Sequence, residues 1–98
     1  MGPNWGHAQF IQQRFLPANG ERGVTGAPQD YPGVQINRRQ LRLAPGGRIY
    51  DQNNRTIVHG HLPPDAQVYY ARDANGDVLR IFILTEQEIV ALRQAGKR

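Results

Sequence analysis

QVYYARDANGDVLRIFI, residues 67–83, decides the fold class. Two runs rich in β-branched and aromatic residues flank Asn75-Gly76, the strongest short-range signal for a β-hairpin. Closing the chain there sets Tyr70 opposite Ile81, Val68 opposite Ile83 and Arg72 opposite Leu79 on one face, the expected core face. The reverse face carries Tyr69, Ala71, Arg80 and Phe82. That mixture fits either partial cover by the N-terminal helix or an open binding surface.

The same reasoning extends in both directions. Downstream, TEQEIVALRQAGKR (85–98) offers Thr85 as an N-cap, Glu88 as its capping-box partner and Gly96 as a stop, so a helix is expected over 86–95 with Ile89 and Leu92, joined by Val90, turned inward. Upstream, RIYD (48–51) and TIVH (56–59) flank Gln52–Arg55. A loop of two or four residues pairs Asp51 with Thr56, Tyr50 with Ile57 and Arg48 with His59. VQINRRQLRLA (34–44) alternates at Val34 and Ile36 and again at Leu41 and Leu43, with the phase slipping by one; a bulge or break at Arg38–Gln40 is expected to turn the neighbouring arginines toward solvent.

The first third of the chain is less regular. HAQFIQQRFL (7–16) places Ala8, Ile11 and Phe15 at helical spacing, ended by Pro17. Residues 17–33 hold three prolines and four glycines and little apolar content, which predicts a long or mobile loop. The expectation is one small α+β domain over 1–98: an N-terminal helix, a long Gly/Pro-rich loop, a four- or five-stranded antiparallel sheet and a C-terminal helix.

Composition bounds what such a domain can do. At 98 residues it buries a little over about 60% of its unfolded surface, so the core is modest. With no cysteine, neither disulfides nor thiolate metal sites are available. No apolar run reaches the roughly 20 residues of a membrane span, and MGPNWGHAQF lacks the basic start and apolar stretch of a signal peptide. A soluble chain without membrane contact is expected; compartment and oligomeric state are left open. Net charge is +4, and Lys97 is the one lysine among twelve basic residues. Arginine's planar fork grips phosphate oxygens in pairs, so RNA, DNA or an acidic protein is the expected partner. The excess is concentrated before residue 47, around Arg38, Arg39 and Arg42.

Three constellations bear on chemistry. His59 and His61 stand one residue apart at a strand end, a spacing that permits zinc, but the third ligand such a site needs is not marked: His7 and Asp65 have no spacing signature. No metal and no cofactor are expected. A proton-transfer reading uses His59 near neutrality as base or acid, across from Arg48, with Asp51 or Asp65 as carboxylate partner and Arg55 on the phosphate; an ordinary exposed Arg–His pair is the competing account. Among the aromatics, Tyr50 and Tyr69 are candidate stacking platforms on a basic sheet, with Arg48, Arg80, Arg38, Arg39 and Arg42 as phosphate contacts, although half-buried strands also favour tyrosine.

The order of short motifs resembles the barnase-like microbial ribonucleases. INRRQLRLAPGGRIYD (36–51) is similar to their N-R-E…L-P…G-R-x-aromatic stretch, RTIV (55–58) with Gly60 to their R-I-V-x-G strand, QVYYARD (67–73) to V-Y-Y-T-x-D, and LRIFI (79–83) to the final strand. The resemblance implies an N-terminal helical part, an antiparallel sheet and metal-independent RNA cleavage on the sheet face, with Arg55 at the matching phosphate position. It departs at the catalytic positions: Arg39 replaces a Glu, Asp51 or Gln52 stands for the catalytic Glu, and Asp73-Ala74-Asn75 replaces the D-H-Y that supplies the acid. His59 or His61 would have to act from another strand, and the C-terminal helix lies beyond the family's usual end.

The functional expectation is therefore a small basic RNA-facing domain of ribonuclease-like or toxin type with a rebuilt or degenerate site. The alternative is a noncatalytic module that binds an acidic protein or nucleic acid through its Arg-rich segment.

Overall fold

The computed structural model describes residues 14–96. They form β1 Glu21–Val24, β2 Gly33–Ile36, β3 Arg39–Tyr50, β4 Thr56–Ile57, a 3-10 turn at His59–His61, β5 Gln67–Arg72, β6 Val78–Ile83 and one helix, α1 Glu86–Gln94. The strand order is β1-β5-β6-β3-β2, with β4 added to β3.

β3 organises the sheet by changing partners along its twelve residues. Its first part, Arg39–Arg42, pairs antiparallel with β2, and its last part, Arg48–Tyr50, lies between β4 and β6. The pairing with β6 is parallel, so the expected purely antiparallel sheet is corrected to a mixed one. The change of partner falls at Pro45-Gly46-Gly47, where the register of β3 on β6 shifts. Gly46 has φ 78°, and a Cβ on Gly47 would lie 2.9 Å from the carbonyl oxygens of Ala44 and Val78, so the bend needs both glycines. The bend curls the sheet until its ends meet: Thr25, just past β1, bridges Ile36, and Asn37 donates its N–H to the Val24 carbonyl at 2.9 Å.

Rolling the sheet creates two apolar compartments. Inside lie Val34, Ile36, Leu43, Ile49, Val68, Tyr70, Val78 and Ile81. On the outer face, Tyr69, Phe82, Leu84 and Ile89 pack together with Leu16, Tyr50 and Leu92. Full burial of such side chains is worth about 1.5–3 kcal/mol each. The two faces of the β5/β6 hairpin thus both enter cores, and α1 supplies the cover for the outer one. It starts as expected, with Thr85 and Glu88 in a reciprocal capping box, and it turns Ile89 and Leu92 inward; Val90 is exposed.

The N-terminal helix expected over 7–16 falls mostly outside the described residues. Arg14–Leu16, which are described, are not helical. The 17–33 loop is corrected too, because it contains β1, whose Arg22 pairs with Tyr69. ERGV hides its strand character: Gly23 replaces an apolar residue because a Cβ there would approach Ile36 Cγ2 to 2.4 Å. The phase slip in 34–44 is a two-residue hairpin turn with Asn37 at φ 54° and Arg38 at φ 65°, both in the region such a turn demands.

Local registers follow from turn length. Tyr70 faces Ile81 and Val68 faces Ile83 as expected, but an irregularity after Ala71 sets Arg72 opposite Val78 instead of Leu79. In the preceding hairpin, a three-residue loop pairs Ile49 with Ile57 and Tyr50 with Thr56, one step from the expected register. Neither Asp51–Thr56 nor Arg48–His59 is a pair.

Candidate anion-binding surface

The parallel register places Arg48 beside Arg80, Ile49 beside Ile81 and Tyr50 beside Phe82. The isoleucines point into the roll, so positions 48, 50, 80 and 82 share the outer face. Two arginines are thereby held on adjacent strands, about 4.8 Å apart in backbone spacing. Among the described residues, no carboxylate lies within 4.0 Å of either guanidinium. Arg48 is exposed, while half-buried Arg80 steadies itself by donating Nη1–H to the Leu79 carbonyl at 2.8 Å. Like charges side by side repel, and an anion bound between them relieves that cost.

Beyond this pair the surface becomes aromatic. Tyr50 and Phe82 stack with centroids 5.0 Å apart and planes 10° off parallel, which occupies one face of the half-buried Tyr50 ring. Tyr69 is only 1% exposed; its hydroxyl donates to the Pro17 carbonyl and accepts from Gly20 N–H at 3.1 Å. It is a core residue, and the expected stacking role is corrected on that ground.

The Arg38–Arg42 segment does not form one patch. Arg38 is exposed at the hairpin tip, Arg39 donates to the Tyr70 hydroxyl at 2.7 Å, and Arg42 pairs with Asp77 at 2.9 Å. Hydrogen bonding and charge from Asp77 raise the Arg42 pKa further. Burial, then the hydrogen bond to Glu21, raises the Tyr70 hydroxyl above its usual pKa, so it stays a donor at neutral pH.

The proton-transfer set does not assemble. His59 belongs to the 3-10 turn, where Nε2 lies 2.6 Å from the Gly33 carbonyl and must carry the hydrogen, and its ring meets Tyr31 edge-on at 5.3 Å. His61 is exposed in the same turn. Asp51 is the keystone of a turn: Oδ1 accepts the N–H groups of Asn53 and Arg55, each at 2.9 Å. Among the described residues no hydrogen bond joins His59 to Asp51, Arg48 or Arg55, and no three of His, Cys, Asp and Glu gather as a metal site. Arg55 stands exposed at the end of the turn that follows Tyr50.

The Asp51 turn recurs at Asp73, whose Oδ1 accepts Asn75 N–H at 2.9 Å and Asp77 N–H at 3.0 Å. Asp51→Ala is expected to cost about 1–2 kcal/mol by leaving two backbone donors without their acceptor, read as a lower urea midpoint at constant slope. An unchanged midpoint would show the turn holds without its carboxylate.

Comparison with protein-family models, curated proteins and solved structures gives no match. The likeness to barnase-like ribonucleases therefore stands on its motifs alone. Among the described residues no helix is long and apolar enough to cross a membrane.

Proposed function

We propose that the chain is a noncatalytic module that binds the phosphate backbone of single-stranded RNA through Arg48 and Arg80, with Arg55 as a flanking contact. The observation that carries the reading is the register of β3 on β6, which fixes two arginines without carboxylate partners on one outer face. A binding role is favoured over catalysis because the groups that would move protons are engaged elsewhere: Asp51 in its turn and His59 on the Gly33 carbonyl. Arginine pairs suit phosphate through two-point hydrogen bonding, and half-buried Tyr50 lies on the same outer face.

Fluorescence anisotropy with a labelled single-stranded RNA across a salt series tests this. Binding should weaken linearly in log[salt]. Arg48→Gln with Arg80→Gln should lower affinity at least about tenfold and flatten the slope by about 1.4, since each phosphate contact on a single strand contributes about 0.7. Salt-insensitive binding, or a double variant that binds like wild type, would sink the proposal. Metal-independent RNA cleavage that is lost in His59→Ala would replace it with a catalytic reading.

A further inference from the structure

A second basic cluster lies at the end of the roll where β1 and β5 leave the sheet. Glu21 faces Tyr70 across the β1/β5 pair, and its Oε1 accepts the Tyr70 hydroxyl at 3.0 Å. Two guanidiniums converge on this carboxylate without hydrogen-bonding it: Arg39 Nη2 stands 3.6 Å from Oε1 and Arg72 Nη2 stands 4.0 Å from Oε2. Charge-assisted N–H···O bonds normally close to about 2.7–2.9 Å, so Glu21 underfills the space between its partners. Its side chain is 51% exposed, and an exposed ion pair of this length contributes little, so displacing it is easy. Glu21 lines a cleft of about 360 Å³ together with Asn19, Tyr70, Arg72, Ala74 and Gly76, and Arg39, which is not itself a lining residue, reaches its edge by donating to the Tyr70 hydroxyl at 2.7 Å. Asp73 also lines it, but its Oδ1 is taken by the Asn75 and Asp77 amides.

We infer that this cleft is a binding site for a phosphate monoester, held by Arg39, Arg72 and the Tyr70 hydroxyl, and that Glu21 occupies the anion position in the free protein. A tetrahedral oxyanion presents three oxygens across a wider span than a carboxylate and can meet both guanidiniums at once. The small residues Ala74 and Gly76 leave room for the esterified group, and the cleft volume falls within the range of small-ligand sites. The inference uses neither Arg48 nor Arg80 and stands apart from the RNA-binding reading.

NMR titration of the full chain tests it, following the guanidinium Nε–H signals of Arg39 and Arg72 with inorganic phosphate, glycerol 1-phosphate and acetate in turn. Saturable shifts at both arginines are expected with the two phosphates, with the monoester binding at least as tightly as the free ion and acetate more weakly. Glu21→Gln, which keeps an acceptor for Tyr70 and removes the competing charge, should tighten phosphate binding about tenfold. Arg72→Gln and Arg39→Gln should each weaken it at least about tenfold with the melting temperature retained. Arg93→Gln, which removes a positive charge from the far end of α1, should leave it unchanged. Absence of saturation at Arg39 and Arg72, equal affinity for acetate, no gain in Glu21→Gln or an equal loss in Arg93→Gln would each overturn the assignment.

Discussion

Arg14→Met should destabilise the protein by about 3–5 kcal/mol, the cost of breaking a buried ion pair by removing one partner. The Arg14 side chain is 6% exposed and that of Glu88 14%. Its guanidinium donates to Glu88 Oε2 at 2.9 Å, to Glu88 Oε1 at 3.0 Å, to the Ile83 carbonyl at 2.7 Å and to the Asp51 carbonyl, and it lies 5.2 Å from the Phe82 ring centroid. One side chain thus ties the start of the described chain to α1, β6 and the Asp51 turn. Methionine keeps the apolar stem and leaves Glu88, whose Oε1 also accepts Thr85 N–H in the capping box, with an uncompensated charge. Urea denaturation should show a large fall in midpoint, partly restored by Glu88→Gln in the same chain. A loss under about 1 kcal/mol, or no relief in the double variant, would show that the pair is not the clamp its geometry implies.

Tyr69→Ala should cost about 3–5 kcal/mol and Tyr69→Phe about 1–3 kcal/mol. Alanine empties the centre of the outer core between Phe82, Leu84 and Ile89, whereas phenylalanine fills it but deprives Gly20 N–H and the Pro17 carbonyl of their hydroxyl partner. RNA affinity per folded molecule should match wild type in Tyr69→Phe, because the ring is shut away from solvent. The paired readout, unfolding midpoint against anisotropy, separates a packing residue from a stacking platform. A destabilisation confined to tenths of a kcal/mol, or a selective loss of RNA binding, would reverse that assignment.

What could be read from the chain was what depends on neighbours in sequence. Asn75-Gly76 and the Thr85–Glu88 box act over a few residues, so the β5/β6 hairpin and α1 were legible. The parallel contact of β3 with β6 has no local signature, and Gly23 removes the alternation that would have marked β1. The site suffered from one turn: three loop residues after Asp51, instead of two or four, moved His59 out of any pairing with Arg48. DQNNR and DANGD share an Asp-x-Asn pattern and the same three-residue loop, so the Asn75-Gly76 signal located the second hairpin but missed its register next to the turn in the same way. Arg48 is expected as a phosphate contact from a hairpin register that the structure shifts by one step, and Arg80 from the outer face of the β5/β6 hairpin; their adjacency is a tertiary fact.

The parallel pairing also bears on how the chain reaches its fold. β2/β3 and β5/β6 are hairpins that close over a few residues, but Arg48 with Arg80, Ile49 with Ile81 and Tyr50 with Phe82 each join positions thirty-two apart. Loop-closure entropy must be spent before such non-local contacts return any stability. Docking of the two hairpins and the β1–β5 pairing, whose partners lie still further apart in sequence, are therefore the contacts expected to form late, and the two arginines meet only once the hairpins have docked.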